Sequence, residues 1–382
     1  MMTLVRSLLI VIVVVGLVVF GGGGLYYSNQ VLDPATAGPA ARNMEVTGID
    51  GDTVSIAGDG DAADWEVDDL TGDLVAGFDT DRGYLRLQGP PQNAQAAAAT
   101  RTYTVVQGNP PAVGDLGEVQ TRAFPDDPNV LGLPFDDVTI DTDLGTLPGW
   151  EFPGTTNPDH WVVFTHGRGA TRGEALRAVQ HVVGDLGLSA LVISYRNDPG
   201  VPPSPDGYGH FGATEWEDLQ AWLSWLERTR VPTEVTLFGL SQGGSLTAFC
   251  LELCEGTGLV TGAILDSPLL SLPETLDLQA ADRGIPTFLR GPLLDVTGLF
   301  TQFRAGLDVD AVDHVDALAE MDMPILAFHG TTDMTVPISP TRALASLDPD
   351  QVTFVEYDGG HVRGWNIDEA AYNAAVTTFL GN

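Results

Sequence analysis

The stretch from Glu234 to Leu253 reads EVTLFGLSQGGSLTAFCLEL, and its order of residue types decides the fold. The apolar segment EVTLF predicts a buried strand, and SQGGSLTAFCLEL predicts the helix that follows it. Between them, Gly239, Ser241 and Gly243 form the pattern G-x-S-x-G, which in this context indicates a sharp strand-to-helix turn that exposes a serine hydroxyl. Glycine is expected on both sides because a Cβ atom there would collide with neighbouring segments.

Strands and helices alternate around this turn, the pattern of a mostly parallel sheet covered on both faces by helices. The predicted strands are short, mainly apolar runs at 161–165, 190–195, 235–238, 262–265, 324–328 and 352–357. The predicted helices lie at 172–186, 213–228, 241–253, 339–346 and 369–380. Between 267 and 322 the alternation stops, and a loosely helical stretch appears that is too long for a simple connection. We expect a helical cap inserted at about 268–321.

A serine hydroxyl is a weak nucleophile at neutral pH and needs a base within hydrogen-bond reach. His361 lies in the segment DGGH (358–361), just after the last predicted strand, and follows Ser241 in the chain order that this turn requires. The base needs an acceptor that fixes its tautomer. Asp333, in the loop after the penultimate strand, is favoured for this role, and Asp266 is its rival. The sequence therefore predicts a Ser-His-Asp triad.

Acyl transfer also needs donors for the developing oxyanion. One predicted donor is the backbone N–H of Gln242, at the start of the helix that follows the nucleophile. The other is the backbone N–H of Arg168, in the loop THGRGATR (165–172), whose glycines let the backbone turn under a substrate carbonyl. The Arg168 guanidinium has two interpretations: it binds an anionic group of the substrate, or it meets one of the chain's many carboxylates.

The charge balance limits the class of partner. The chain contains 52 acidic and 17 basic residues, for a formal net charge of −35. Nucleic acid is excluded as a partner, because a phosphate backbone is bound by clustered cations. Every basic residue is an arginine. Two explanations of this composition stay open, namely adaptation to high salt, which screens the repulsion between carboxylates, and a GC-rich genome.

The two cysteines, Cys250 and Cys254, lie four positions apart in a predicted helix. This spacing places them on one face, but a regular helical turn seldom offers the geometry of a disulfide. We therefore expect two buried free thiols. No histidine or second cysteine pair stands beside them at ligand spacing, so a metal site is not expected.

The N-terminal residues predict a membrane anchor over 1–27. From Leu4 to Phe20 the sequence is apolar apart from Arg6 and Ser7, and the uncharged residues 21–27 extend it to about the 20 residues that span a bilayer. The positive-inside tendency places the short N-terminus in the cytoplasm and the rest of the chain outside it. A cleaved signal peptide is the alternative, although no A-x-A-like site follows the apolar run.

Three further segments follow the anchor. Residues 28–44 are rich in Pro, Ala and Gly in their first part and predict a linker. Alternating runs within 45–130 predict a small β-rich region. Residues 131–382 form the main predicted domain, which contains the triad and the cap.

From about residue 135 to its end, the chain resembles the α/β-hydrolase superfamily, in particular its lysophospholipase-like and serine-aminopeptidase-like branch. It is similar to exported bacterial hydrolases in the segments HGRGATR (166–172), SYRND (194–198) and GHVRGW (360–365). The resemblance implies an eight-stranded core, a cap after the sixth strand and hydrolysis of a carboxylic ester or related acyl bond in a small-molecule substrate. It implies no cofactor and no metal. Within SYRND, Arg196 and Asp198 are expected to form structural pairs beneath the site. A serine peptidase of the same fold and an inactive binding module at the cell envelope are the alternatives.

Overall fold

The computed structural model describes residues 17–35, 42–58, 62–255 and 257–381. It begins with a π-helical turn (Leu17–Gly22) that continues into helix α1 (Gly23–Leu32). Most of the predicted membrane anchor, residues 1–16, lies outside the described residues. Among the residues that are described, no helix has both the length and the apolar character needed to cross a membrane. Where the sequence predicts the end of the anchor and the start of a linker, the structure has α1, with Val31 and Leu32 buried.

The predicted β-rich region is a closed six-stranded barrel with the strand order 1-2-5-4-3-6. Along β2, Val54 and Ile56 point into the barrel and alternate with less buried residues, as expected for a strand with one face on a core. The closure was not predicted, because it depends on pairing of β6 with both β1 and β3, which are distant in sequence. The strands are β1 (Met44–Asp50), β2 (Thr53–Gly58), β3 (Ala76–Thr80), β4 (Gly83–Gln95), β5 (Ala98–Gly108) and β6 (Leu116–Gln120), and helix α2 (Asp64–Thr71) lies between β2 and β3.

The main domain is built on an eight-stranded sheet with the strand order 14-13-12-11-9-10-8-7. The six strands from β9 to β14 are parallel, while β8 pairs antiparallel with β10 and β7 antiparallel with β8. The six predicted strands are all present, and the β7–β8 hairpin is the part that sequence reasoning missed. The strands are β7 (Asp136–Thr142), β8 (Gly145–Phe152), β9 (Asn157–Thr165), β10 (Leu188–Ile193), β11 (Glu234–Leu240), β12 (Val260–Asp266), β13 (Ile325–Gly330) and β14 (Val352–Tyr357).

Helices cover both faces of this sheet, and three of them form the cap between β12 and β13. On strand β9, Val162 and Phe164 belong to one buried cluster and Val163 to another, so both faces of the strand are buried. Leu219 and Trp222, in the helix predicted at 213–228, are fully buried. The helices are α3 (Leu176–Val179), α4 (Trp216–Arg230), α5 (Gln242–Leu253), the cap helices α6 (Leu272–Asp282), α7 (Thr287–Ala305) and α8 (Val315–Ala319), then α9 (Ser339–Leu347), α10 (Gly364–Ile367) and α11 (Glu369–Leu380).

The barrel contacts the main domain close to the loop after β14. Arg363 Nε donates to Asp69 Oδ1 at 2.8 Å, and both side chains are largely buried. Arg363 Nη1 also donates to the backbone carbonyl of His361 at 2.9 Å. The barrel therefore supports the segment that contains the predicted catalytic histidine.

The expectation of two free thiols is wrong, because Cys250 and Cys254 form a disulfide with a Cα–Cα distance of 4.7 Å. The sequence argument assumed a regular helical turn through both residues. In the structure, α5 ends at Leu253, and Cys254 has an extended backbone with φ −64° and ψ 134°. The departure from helical geometry at the second cysteine allows the two side chains to meet.

Candidate active site

Ser241 lies in a strained turn between β11 and α5. Its φ of 53° and ψ of −117° fall outside the usual regions for a residue with a side chain. Its backbone N–H donates to the carbonyl of Asp266 at 2.9 Å. A Cβ atom at Gly239 would lie 2.5 Å from the Gly243 carbonyl oxygen, and one at Gly243 would collide with the Thr165 carbonyl. Both glycines of the motif are therefore sterically required, for the reason that the sequence suggested.

The structure brings the three residues of the predicted triad together. Nε2 of His361 lies 2.8 Å from Oγ of Ser241, and Nδ1 of His361 lies 2.7 Å from Oδ2 of Asp333. With the proton on Nδ1, the imidazole donates to the carboxylate and leaves Nε2 to accept the serine proton. The residues come from the ends of β11, β13 and β14, whose carboxyl ends meet at one edge of the sheet.

The Asp333 carboxylate is held in its ionised form. Burial by itself raises the pKa of Asp333, but hydrogen bonds from His329 and His361 outweigh it and hold that pKa well below its usual range. Oδ1 of Asp333 accepts the N–H groups of Thr335 and Val336 at 2.8 and 2.9 Å. His329, in β13, lies with its Nε2 3.3 Å from Oδ2 and so supports the carboxylate directly.

Asp266, the rival of Asp333, is fully buried and has other partners. Its Oδ2 accepts the hydroxyl proton of Tyr372 at 3.0 Å, and its Oδ1 lies 3.3 Å from the Ser267 hydroxyl. Burial raises the pKa of Asp266, and only part of this shift is offset by the nearby Arg177. The contact with the imidazole is made by Asp333.

The loop after β9 lies directly against the nucleophile. A Cβ atom at Gly167 would lie 3.1 Å from Cβ of Ser241, so this close approach favours glycine. The Gly167 N–H donates to Oε2 of Glu174 at 2.8 Å, and it is therefore occupied. The next N–H along the loop belongs to Arg168, and the N–H of Gln242 lies in the first turn of α5, where N–H groups lack partners within the helix.

Sequence reasoning missed Glu174. The available signal was a carboxylate seven positions after Gly167, at the start of the helical segment that follows the loop. In the structure that carboxylate fixes the first turn of the loop.

The guanidinium of Arg168 donates to backbone carbonyl groups, a contact that differs from both interpretations of the sequence. Its Nη2 donates to the carbonyl oxygens of Gln30 and Val31 at 2.9 and 3.3 Å, and also to that of Asp33. These carbonyls lie at the C-terminal end of α1, where a cation is favoured by the helix dipole. The guanidinium also stacks over the ring of Phe211 at 4.9 Å. Burial lowers the pKa of Arg168, and the nearby Asp33 carboxylate partly offsets this effect.

Arg196 and Asp198 are both paired, each with a different partner. Arg196 donates to Asp218 through Nε and Nη2 at 2.8 and 2.9 Å, which is a bidentate salt bridge between nearly buried side chains. Asp198 accepts from Nε2 of His166 at 2.8 Å. The structural pairing expected beneath the site is present, and the second pair fixes the first residue of the loop at 166–172.

A second serine, histidine and carboxylate are also hydrogen-bonded in series. Nε2 of His314 lies 3.0 Å from Oγ of Ser245, and Nδ1 of His314 lies 2.7 Å from Glu252. Ser245 is fully buried and donates its proton to the carbonyl of Phe211 at 2.7 Å. Neither Ser245 nor His314 lines the cavity beside Ser241, so this group is not accessible to a substrate. Its hydrogen bonds connect the cap to α5.

A largely apolar cavity of about 280 Å³ contains the side chains of Ser241 and His361. Its walls come from the cap, from α1 and from the segments beside the triad. Among the described residues that line it, none is acidic, although the chain has 52 acidic residues. The other lining residues are Tyr27, Gln30, Val31, Ala35, Arg168, Phe211, Gln242, Leu269, Leu272, Thr275, Leu276, Gln279, Ala280, Arg283, Ile285, Leu293, Leu294, Thr297, Thr335 and Val336.

The chain has an α/β-hydrolase-like fold, and comparison with solved structures agrees with this architecture. An esterase from Pyrococcus furiosus superposes with a TM-score of 0.54 and 20% identity, covering 72% of this chain and 97% of that one. In another crystal form of that esterase the TM-score is 0.53, with 68% and 96% covered. At this level of identity the likeness concerns the fold alone. No protein-family model matches the chain.

Two bacterial proteins are similar in sequence. The uncharacterized protein YqkD of Bacillus subtilis is 25% identical over 207 residues, which is 53% of this chain and 65% of that protein, slightly less than two thirds of its length. An uncharacterized protein of Mycobacterium tuberculosis is 26% identical over 247 residues, 64% of this chain and 78% of that protein. Neither protein's name states an activity.

Proposed function

We propose that this chain is a serine hydrolase that cleaves a carboxylic ester. The observation that supports the proposal most directly is the hydrogen-bonded series from Ser241 through His361 to Asp333, with the serine in a strained turn beside a cavity. A serine whose hydroxyl reaches a base that is itself oriented by a carboxylate has the arrangement of an activated nucleophile.

In the proposed reaction, Oγ of Ser241 attacks the ester carbonyl carbon while its proton passes to Nε2 of His361. The negative charge on the carbonyl oxygen is stabilised by the N–H groups of Gln242 and Arg168. The tetrahedral intermediate then expels the alcohol, which takes the proton from His361. Water attacks the acyl-enzyme with His361 as base, and the carboxylic acid leaves as the serine regains its proton. Asp333 stabilises the imidazolium in both halves.

The cavity favours an ester over a peptide with a free amine. An aminopeptidase needs a carboxylate near the substrate's ammonium group, and the described lining of the cavity contains two arginines, Arg168 and Arg283, and no acidic side chain. Its many aliphatic residues fit an apolar acyl or alkyl group. The serine peptidase is therefore the less favoured candidate, and comparing the hydrolysis of aminoacyl anilides with that of aryl esters tests it.

We also propose that the hydrolase domain lies outside the cytoplasm, attached to the membrane by its N-terminal segment. Two features support this location. Arg6 lies at the N-terminal end of the apolar run 4–20, in agreement with the positive-inside tendency. The chain also contains a disulfide, Cys250–Cys254, and disulfides persist mainly in oxidising compartments. Digestion of intact cells with an added protease tests the proposal. Cleavage of the domain supports it, whereas protection until the cells are lysed argues for a cytoplasmic protein.

Fluorophosphonate labelling tests the catalytic proposal on the full chain. The reagent should modify Ser241, and Ser241→Ala should abolish both labelling and the hydrolysis of p-nitrophenyl esters. Ser346→Ala is the matched control, because Ser346 is exposed on α9 and donates only to the Arg342 carbonyl. If wild type and Ser346→Ala both fail to label while they remain folded, the chain is an inactive hydrolase-fold binding module.

A further inference from the structure

Helix α1 lies outside the hydrolase domain, yet it packs directly on the cap helix α7 through two glycines. A Cβ atom at Gly24 would lie 2.6 Å from Cγ1 of Val296 and 3.2 Å from its backbone carbonyl carbon, and one at Gly23 would lie 2.9 Å from Cδ1 of Leu293. In addition, Arg304 of α7 donates to the hydroxyl of Ser28 at 2.7 Å. The close approach of the two helices therefore depends on the absence of side chains at these positions.

The same helix forms one wall of the cavity that contains Ser241. Tyr27, Gln30 and Val31 line it from α1, and aliphatic residues of the cap also line it. Val31 and Leu32 are buried, and with Phe211 they belong to a cluster that also contains cap residues. The space available to a substrate is therefore bounded partly by α1.

α1 is also bonded to the loop that contains the proposed oxyanion donor. The carbonyls of Gln30, Val31 and Asp33 accept hydrogen bonds from the guanidinium of Arg168, whose own backbone N–H is that donor. The next residue of the loop, Gly169, has φ +70°, and a Cβ atom there would lie 2.6 Å from the Ala35 carbonyl oxygen. Movement of α1 would therefore change the position of this loop.

We propose that α1 forms part of the substrate-binding site, and that its Tyr27 limits the length of the apolar group that the cavity accepts. Through the Arg168 side chain, α1 also positions one of the two oxyanion donors. This proposal rests on the esterase activity proposed above. It assigns a role in substrate selection to residues 23–32, which the sequence analysis interpreted as the end of the membrane anchor and the start of the linker.

Two neighbouring residues of α1 test the specificity part of the proposal. Tyr27→Ala removes a ring from the cavity wall, whereas Leu25→Ala shortens an exposed side chain that does not line the cavity. For the full chain acting on p-nitrophenyl butyrate and p-nitrophenyl laurate, the ratio of kcat/KM for laurate to that for butyrate should rise about tenfold in Tyr27→Ala. In Leu25→Ala the ratio should change less than about twofold. An unchanged ratio in Tyr27→Ala, or equal changes in both variants, overturns the proposal.

Two neighbouring glycines test whether the position of α1 matters. An alanine at position 24 meets Val296, whereas an alanine at position 22 meets nothing within 4 Å. Gly24→Ala should therefore alter the same kcat/KM ratio by at least about fivefold, while Gly22→Ala leaves it near the wild-type value. Identical ratios in the two glycine variants would show that the packing of α1 on α7 has no effect on substrate choice.

Arg168 tests the coupling to the oxyanion loop. Arg168→Met keeps the backbone N–H but loses the bonds to α1, so kcat per active site should fall at least about tenfold on both esters, while KM changes by less than about threefold. Arg168→Lys retains a donor and should recover part of kcat. If the arginine only stabilises the fold, Arg168→Met lowers the fraction of labelled protein but leaves kcat per labelled site unchanged, which contradicts the proposal.

Fluorophosphonate titration of active sites separates failure of this inference from failure of the proposed function. If wild type is not labelled at Ser241, the esterase proposal itself is wrong. If wild type and all variants are labelled and hydrolyse both esters with the same ratio of kcat/KM, the enzyme is an esterase in which α1 has no part in selection.

Discussion

The substitution Asp333→Asn tests the geometry of the site most sharply. Oδ1 of Asp333 accepts the N–H groups of Thr335 and Val336, so the oxygen of an asparagine should keep those two bonds and turn its NH2 group toward His361. Nδ1 of His361 can then only accept, and its proton moves to Nε2, which lies 2.8 Å from Oγ of Ser241. An Nε2 that carries a proton cannot take one from the serine.

The expected effect on catalysis is large. In serine proteases the equivalent change lowers kcat by about 10⁴ through the wrong tautomer, which corresponds to about 5 kcal/mol in the activation free energy. We expect a loss of similar size in Asp333→Asn. The assay is kcat on p-nitrophenyl butyrate, in protein whose folded state has been verified by circular dichroism.

Asp266→Asn is the control. An asparagine at position 266 can still accept the hydroxyl of Tyr372 through its oxygen, and Asp266 has no direct part in orienting the imidazole. We expect kcat to fall by less than about tenfold. If Asp266→Asn loses activity ten-thousandfold while Asp333→Asn stays near wild type, Asp266 is the orienting acid and our interpretation of the triad is wrong.

Three further predictions concern stability and covalent structure. Because the folded-state pKa of Asp333 is depressed, its contribution to stability is present above about pH 4 and is lost as the pH falls through the folded-state pKa. Urea titrations between pH 5 and 2 should therefore show a larger loss of unfolding free energy in wild type than in Asp333→Asn. Equal losses in the two proteins would contradict this prediction. Asp218→Asn removes the bidentate partner of the nearly buried Arg196 and leaves the more exposed Glu217 as its counter-ion, which should cost about 3 kcal/mol of unfolding free energy at pH 7. A cost below about 1 kcal/mol would mean that Glu217 is a sufficient counter-ion for Arg196. Alkylation in denaturant should add mass at Cys250 and Cys254 only after reduction, and two adducts without reduction would restore the expectation of free thiols.

Much of the fold followed from local sequence signals. Buried parallel strands are near-continuous apolar runs, and the six predicted from such runs are all present. The β7–β8 hairpin was missed because its first strand, Asp136–Thr142, contains three acidic residues and is only partly buried. Both ends of the helix at 369–380 were predicted correctly. The single helix predicted at 172–186 is a succession of 3-10, α and π turns over 172–185, and the spacing of apolar residues cannot distinguish these helix types.

The sequence by itself determined the strand-to-helix turn at Ser241, the candidate base at His361 and the position of the cap, because each depends on residues adjacent in the chain or on the order of elements. Only the tertiary structure decided that His361 meets Asp333 and not Asp266, that the β-rich region closes into a barrel, and that the helical register breaks at Cys254. Only the tertiary structure, likewise, joins Arg168 to the Val31 carbonyl, 137 positions earlier. Contacts of this kind are fixed by the path of the whole chain in space, since spacing along the sequence does not specify which of several chemically suitable partners lies within 3 Å.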